Sequence, residues 1–309
     1  MRRFTLKALA LACPFLLVAM LIIIIDPYNF WGVSKVISDD IKVKTSVALN
    51  PCLWRMIEYR RSPRPNILLG DSRMGALSQD EISRMSELPY FNFYYGGASL
   101  NEMIDTFWYA ASLTKLRNVY MGVNFVLYND YNYTARTEAV KALFDNPLLY
   151  FTNRSVLKTA FYNARMALSG RDPKIGVPSV SRDEYWRQML NIGYYRQYVY
   201  PIRYRKQLKL ISEYCRNNSI NLHFIIFPTH VDMQARINHY NLKNEYDKYK
   251  RELAELGTTY DYDYKNELTV NAGDYRDPIH FTPRITSVLI REIWLGPMRI
   301  GDSGRRAQP

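Results

Sequence analysis

Short apolar runs alternate with longer amphipathic segments along much of this 309-residue chain. Four of the runs have the length of buried strands, and they cover residues 66–69, 90–94, 118–126 and 221–228. Helical periodicity appears between and after them, over residues 100–113, 203–217 and 242–256. Strands that alternate with helices predict an α/β fold, in which a central, mostly parallel sheet carries helices on both faces as a three-layer sandwich.

The region of about 128–200 interrupts this alternation. Its richness in Tyr, Asn and Arg predicts an insertion of loops and short helices over the carboxyl edge of the sheet, where a lid or substrate groove would lie. The chain has 26 tyrosines, which suit sugar rings but equally suit the packing of a half-buried surface. We expect a domain over residues 66–296, a stalk over 26–65 and a disordered tail over 297–309.

The amino-terminal segment Ala8–Ile25 is apolar and carries no charge. Its eighteen residues nearly span a hydrocarbon core of ~30 Å, so we expect residues 1–25 to form a single-pass transmembrane anchor. Arg2, Arg3 and Lys7 precede the segment, which puts the amino terminus in the cytoplasm and the remaining chain in the periplasm or outside the cell. A cleaved signal peptide is the rival interpretation, although the apolar stretch is long and no small-x-small site follows it.

Net charge and cysteines limit the partners and the chemistry. The formal net charge is +12, which outside a membrane favours anionic lipid surfaces or acidic glycans as partners, or is simply a basic solvated surface. No nucleic-acid-binding motif accompanies the charge, so we expect no nucleic-acid partner. Cys52 and Cys215 form either a disulfide or two buried thiols.

Two short segments carry candidate chemistry. Gly70-Asp71-Ser72 follows a predicted strand, and open α/β sheets place their ligands at that carboxyl edge. Asp277-Pro-Ile-His280 offers an imidazole with a carboxylate three residues earlier, a spacing at which a turn can hold the Asp against one ring nitrogen. Together Ser72, His280 and Asp277 would make an activated-serine site, although the G-x-S-x-G elbow is absent.

Two further segments lie after Ser72 and supply candidate oxyanion donors. Gly96-Gly97 and Asn124 each follow an apolar run. A glycine amide allows unobstructed approach, and an Asn side chain gives a second donor of fixed direction. We expect the Ser72 and Gly97 amides and the Asn124 side chain to bind an oxyanion; the spacing from Asn92 favours Gly97 over Gly96.

In these four segments, taken in order over residues 66–296, the chain resembles the SGNH (GDSL-like) hydrolase superfamily. The resemblance rests on Ser72, Gly97, Asn124 and His280, and it implies a flavodoxin-like fold with an acyl-ester chemistry at Ser72. Arg73-Met74 after the serine and Phe125 after the Asn depart from the usual pattern. These departures look more like the membrane-anchored branch that serves polysaccharide O-acetylation and teichoic-acid alanylation than like the secreted lipases.

The branch resemblance implies transfer of an acetyl or similar small acyl group onto an extracytoplasmic polysaccharide. It also implies a multi-spanning membrane acyltransferase as the partner that supplies the acyl group. A carbohydrate esterase or deacetylase is the alternative enzyme, and a catalytically inert glycan-binding assembly protein is the alternative outside enzymes.

Other residues are candidates for substrate binding. Arg73 would bind a carboxylate or phosphate in bidentate fashion, or pair with a structural acid. Asp71, Gly96 and His230 are further candidates, His230 because it follows the end of a predicted strand. No cysteine pair has metal-ligand spacing and no His-Glu-x-x-His occurs, so we expect neither metal nor cofactor.

Overall fold

A computed structural model describes residues 2–171, 180–191, 193 and 195–296, without the side chains of residues 2–6 and 8–10. The predicted tail at 297–309 lies outside the described residues, as do residues 172–179 of the predicted insertion. The chain divides into two compact units. The first unit is Met1–Ser62 with Ala135–Pro178, and the second unit is Pro63–Thr134 with Ser179–Pro309.

The helices follow one another in this order: α1 Arg2–Ile25, α2 Asp39–Leu49, α3 Pro51–Arg61, α4 Ser72–Gly75, α5 Gln79–Ser86, α6 Leu100–Leu113, α7 Arg136–Asp145, α8 Arg154–Ser169, α9 Arg182–Asn191, α10 Ile202–Asn217, α11 Val231–His239, α12 Lys243–Leu256 and α13 Pro283–Leu295. Two short 3₁₀ helices are η1 Pro147–Thr152 and η2 Ala272–Asp274. The predicted helix over 100–113 is confirmed as α6, and those over 203–217 and 242–256 are confirmed within one residue as α10 and α12.

A parallel sheet forms the centre of the second unit. Its strands are β1 Asn66–Gly70, β2 Tyr90–Tyr94, β3 Asn118–Gly122, β4 Asn221–Ile226 and β5 Thr258–Asp261. The strand order is β2-β1-β3-β4-β5, and every neighbouring pair is parallel. The chain moves from β1 to β2 on one side and then returns to β3 on the other. This switch opens a crevice at the carboxyl ends of β1 and β3.

Helices cover both faces of the sheet, as the α/β pattern predicts. On one face, α5 and α13 pack over a buried cluster that includes Leu68, Tyr120 and Ile225. On the other face, α6 packs on β1, α10 on β4 and α12 on β5. Since alternate strand residues point to opposite faces, strands buried on both sides read as continuous apolar runs.

Two predicted strands are too long and one strand was missed. β3 ends at Gly122 rather than at residue 126, because the chain leaves the sheet while Val123, Phe125 and Val126 stay buried. β4 likewise ends at Ile226 rather than at residue 228. β5 has four half-buried or exposed residues, so it lacks the apolar run that marks a buried strand.

The first unit contains the segment that the sequence predicts as anchor and all but the last three residues of the predicted stalk. Residues 26–65 include two helices, α2 and α3, which pack on α8 and α7 respectively. The Tyr28 hydroxyl lies 2.7 Å from the Thr159 hydroxyl, and the Thr45 hydroxyl is hydrogen-bonded to Asn163. These contacts give the stalk residues a buried partner that is distant in the sequence.

The predicted anchor Ala8–Ile25 falls within α1. Over the described part of the chain, we find no helix with both the length and the apolarity needed to cross a bilayer. Cys52 in α3 and Cys215 in α10 are each buried and not disulfide-bonded. Of the two alternatives, a disulfide or two buried thiols, the structure shows the thiols.

Candidate active site

Ser72 lies at a tight turn between β1 and α4. β1 ends at Gly70, Asp71 caps α4 by accepting a hydrogen bond from the Arg73 amide at 2.9 Å, and Ser72 is the first helical residue. A Cβ on Gly70 would lie 2.5 Å from the Cβ of Met74, closer than side chains approach each other. Glycine is therefore required for the strand to turn directly into the helix that presents Ser72.

A chain of two hydrogen bonds links Ser72, His280 and Asp277. Ser72 Oγ lies 2.7 Å from His280 Nε2, and His280 Nδ1 lies 2.7 Å from Asp277 Oδ2. A carboxylate can only accept, so Nδ1 carries the proton and Nε2 is left to accept from the serine hydroxyl. This is the arrangement in which a histidine acts as a base toward serine.

The Asp277 carboxylate is held in its charged form. It is buried, and burial raises the pKa of this carboxyl; hydrogen bonds from the His280 ring and from the Ile279 and His280 amides, together with the charge of His280, outweigh burial and lower it. One oxygen of Asp277 thus fixes the backbone of the turn while the other orients the imidazole. The result is a negative charge that stabilises a protonated His280.

The turn that carries His280 is tied on both sides. An isolated antiparallel bridge pairs Tyr275 with Phe281, and the Arg276 amide donates to the His280 carbonyl at 2.8 Å. The His230 amide donates to the Pro278 carbonyl at 2.9 Å. These backbone bonds hold the imidazole at the carboxyl edge of the sheet without using its ring nitrogens.

A cavity of about 650 Å³ opens at this edge within the second unit. Ser72 and His280 line it together with Asp71, Arg73, Gly97 and Ser99. The remaining wall comes from Val126, Leu127, Tyr131, Asn132, Tyr133 and Thr134 after β3, from Tyr185 and Met189 on α9, and from Ala98 and Ile279. Ser72 and His280 therefore face a space large enough for a small organic substrate.

The predicted oxyanion donors are placed unequally. Gly96 and Gly97 are both exposed, but only Gly97 lines the cavity, with a φ of +61°, a left-handed conformation that favours glycine. Asn124 is buried and also outside the lining; its amide nitrogen donates to the Phe227 carbonyl at 3.0 Å. Gly97 and Ser72 thus line the same cavity, whereas Asn124 joins the ends of β3 and β4.

Arg73 forms a buried ion pair with Asp71. Its Nε lies 3.1 Å from each carboxylate oxygen of Asp71, and its Nη2 donates to the same group. Burial raises the pKa of Asp71, but the Arg73 charge and hydrogen bonds lower it below its ordinary value. Of the two interpretations of Arg73, pairing with a structural acid is the one that the structure shows, although both residues border the cavity.

His230 contacts the turn that carries His280 and does not lie in the cavity lining. It caps α11: its Nδ1 accepts from the Asp232 amide at 3.2 Å, and its ring packs edge-on against Trp186 and Tyr275. Its contacts support the turn that holds His280. Among the described residues, no group of three His, Cys, Asp or Glu side chains is placed to hold a metal ion.

The sequence analysis did not name several residues that line or support the cavity. Tyr131, Tyr133, Tyr185 and Met189 line the cavity, and all fall in the tyrosine-rich region expected over this edge. The missed supporting residue is Asn92, whose buried amide donates to the Met74 and Leu77 carbonyls at 2.9 and 3.2 Å and so fixes the end of α4. A buried Asn within an apolar strand is the signal that would have found it.

No protein-family model matches the chain, and no curated protein matches it. Among solved structures, the crystal structure of a candidate acylhydrolase from Bacteroides fragilis is similar with a TM-score of 0.40 and 11% sequence identity. The match covers 77% of this chain and 91% of that chain. This structural similarity is too low to indicate an activity.

Proposed function

We propose that this chain is a serine-dependent acyl-ester enzyme of the SGNH type, with Ser72 as nucleophile, His280 as general base and Asp277 as the group that orients His280. The observation that carries the proposal is the pair of 2.7 Å contacts that joins the three side chains at the rim of the cavity. The two sequence segments that hold these residues, Gly70-Asp71-Ser72 and Asp277-Pro-Ile-His280, resemble the superfamily and support the same roles.

In the first half of the reaction, Ser72 Oγ attacks the carbonyl carbon of a bound acyl ester and its proton passes to His280 Nε2. The former carbonyl oxygen becomes an oxyanion, for which the Ser72 and Gly97 amides are the proposed donors at the cavity wall. The bond to the leaving alcohol then breaks, and His280 returns its proton to that oxygen. Ser72 is left as an ester of the acyl group.

In the second half, a hydroxyl group enters the place of the departed alcohol. His280 removes the proton of that hydroxyl as its oxygen attacks the acyl carbon, and the Ser72 oxygen leaves and takes the proton back. Water as the attacking group gives hydrolysis, whereas a sugar hydroxyl gives transfer. Protein groups that bind the acceptor therefore decide between the two outcomes.

Within this class of enzyme, we propose that the reaction is transfer of an acetyl or similar small acyl group onto a cell-surface polysaccharide. Tyr131 and Tyr133 border the cavity and are exposed, so their rings can stack on sugars beside Ser72. The resemblance to the membrane-anchored branch and the apolar segment Ala8–Ile25 support attachment to the outer side of a membrane, next to a polytopic acyl donor. Retention of the full chain in carbonate-washed membranes tests the attachment.

A carbohydrate esterase of the same fold is the second candidate, since the same site serves both reactions. We would measure products from an acetyl-ester donor with and without an oligosaccharide acceptor, using the full chain and Ser72→Ala. Acetylated oligosaccharide formed only by the unsubstituted chain supports transfer, and free acetate alone supports the esterase. Equal turnover by Ser72→Ala would contradict both.

A further inference from the structure

Helix α8 in the first unit has one buried face and one face of exposed apolar residues. Its buried face packs inside the unit through Val156, Thr159, Ala160, Asn163 and Met166. Three large apolar side chains point the other way: Leu157, Phe161 and Leu168 are 39%, 63% and 90% exposed. Isolated exposed apolar residues are ordinary, whereas several on one helix face are typical of an interaction surface.

The exposed residues form a narrow stripe with a basic border. At about 100° per residue, Leu157, Phe161 and Leu168 fall within an arc of about 40° around the helix. Arg154, Lys158 and Arg165 fall within the adjoining arc of similar width, along one side of the apolar stripe. The sequence from residue 146 to 171 has four basic residues and no Asp or Glu.

The elements that pack on α8 in the same unit also carry exposed apolar residues. η1 packs on α8 and exposes Leu148 and Leu149, and α1 packs on both of them and exposes Leu11, Phe15, Leu16 and Leu21. Each of three adjoining elements therefore exposes large apolar side chains. We call Leu148, Leu149, Leu157, Phe161 and Leu168 the apolar ridge.

We propose that the apolar ridge is a membrane-docking surface, seated in the interface of an anionic lipid bilayer. A Leu/Phe stripe bordered by Lys and Arg is the pattern of helices that lie in the plane of a membrane, with the basic residues at the level of the lipid phosphates. Residues 146–171 carry basic and no acidic side chains, so their charge favours anionic over neutral lipid. The inference goes beyond the proposed function and does not depend on activity at Ser72.

Depth-sensitive fluorescence on the full chain tests the docking. Phe161→Cys and Leu157→Cys, each in a Cys13→Ser background, would be labelled with an environment-sensitive dye; the other two cysteines are buried. The matched control is Leu210→Cys on α10, which replaces a leucine 57% exposed in the second unit. Each protein is reconstituted into phosphatidylcholine vesicles with or without phosphatidylglycerol, and quenching by lipid-borne nitroxides is measured.

We expect quenching at positions 157 and 161 in anionic vesicles and little quenching at position 210. Arg154→Gln, Lys158→Gln and Arg165→Gln should each lower the ratio of docked to undocked protein about five-fold, because each removes one basic contact with the lipid surface. Quenching no greater at 157 and 161 than at 210 would overturn the proposal. Equal quenching in vesicles with and without phosphatidylglycerol would also overturn it. A dye response that depends on protein concentration in the absence of vesicles would instead indicate that the apolar ridge binds a second copy of the chain.

Discussion

Asp277 Oδ2 lies 2.7 Å from His280 Nδ1, while Oδ1 of the same carboxylate accepts the backbone amides of Ile279 and His280. One side chain thus shapes the turn and orients the ring that the turn carries. The geometry leaves His280 Nε2 to Ser72 and makes the tautomer of the imidazole a consequence of the backbone conformation.

Replacement of Asp277 therefore has a defined effect on turnover. An Asn side chain can offer its NH₂ to Nδ1 and select the wrong tautomer, so we expect Asp277→Asn to lower kcat by ~10⁴-fold, as in other serine triads. Steady-state hydrolysis of an acyl ester measures the loss. Asp274→Asn is the control, because Asp274 is a buried carboxylate of the same segment that pairs with Arg284 and not with His280. Similar kcat losses in both variants would count against the role of Asp277.

The turn before Ser72 predicts a difference between two glycines. Gly70→Ala places a Cβ against Met74, so we expect it to shift α4 and to lower the free energy of unfolding by about 1–3 kcal/mol. Gly96→Ala is the control, since a Cβ there would meet nothing within 4 Å. Urea unfolding gives both free energies. An unchanged Gly70→Ala variant would show that the turn tolerates a side chain.

The Arg73–Asp71 pair predicts sensitivity to acid. The folded-state pKa of Asp71 is below its ordinary value of 3.8, so the unfolded chain binds the proton more readily. The stability that the charged carboxylate contributes is complete above pH ~4 and is lost as pH falls through the folded-state pKa. Asp71→Asn should flatten the fall in urea midpoint below pH ~4. At neutral pH it should also cost about 3–5 kcal/mol, because Arg73 is left buried without its partner.

The matching control for that experiment is Asp130→Asn, which removes an exposed carboxylate from its pair with Arg203. Exposed ion pairs contribute about 0–1 kcal/mol to stability. The urea midpoint of Asp130→Asn should therefore fall below pH ~4 as steeply as that of the unsubstituted chain. If Asp71→Asn and Asp130→Asn give superimposable pH profiles, the buried pair is not a source of the acid sensitivity.

Two cavity tyrosines predict a selective effect on the acceptor. Tyr131→Ala and Tyr133→Ala should raise the KM for an oligosaccharide acceptor about 5- to 10-fold, the loss of roughly one stacking contact each. The rate at which Ser72 is acylated in the absence of acceptor should not change. Tyr264→Ala, at an exposed tyrosine away from the cavity lining, serves as control. Unaltered acceptor KM in the first two variants would remove the tyrosines from the acceptor site.

Local sequence patterns predicted the sheet well where strands are buried on both faces. β1 and β2 are mostly apolar and mostly buried, β2 with Asn92 at its centre, and Gly70 and Gly96-Gly97 mark where they end. The end of β3 was placed four residues too late because Val123, Phe125 and Val126 are buried outside the sheet, and burial alone does not distinguish strand from loop. The meeting of Ser72 with His280 was predicted from the Asp277–His280 spacing and from the resemblance that the four segments carry, since His280 itself follows no strand.

Predictions that depend on distant contacts were less complete. Residues 26–65 contain α2 and α3 because side chains such as Tyr28 and Thr45 bond to α8, more than 100 positions away. The Asn124 side chain donates to the Phe227 carbonyl, a contact 103 positions away that no local pattern reveals. Such pairings are set by the three-dimensional packing, which periodicity does not encode.

The 2.7 Å contact between Ser72 Oγ and His280 Nε2 implies that His280 activates Ser72. Ser99 also lines the cavity, but its hydroxyl is hydrogen-bonded to Asn101 and Thr134, which makes it an internal comparison for a serine without an adjacent base. The most direct measurement is the rate and position of fluorophosphonate labelling, read by mass spectrometry in the unsubstituted chain and in His280→Ala. We predict a single adduct on Ser72, no adduct on Ser99, and a labelling rate that collapses in His280→Ala. A folded chain that stays unlabelled at Ser72, or an equal labelling rate in His280→Ala, would contradict the activation of Ser72 by His280.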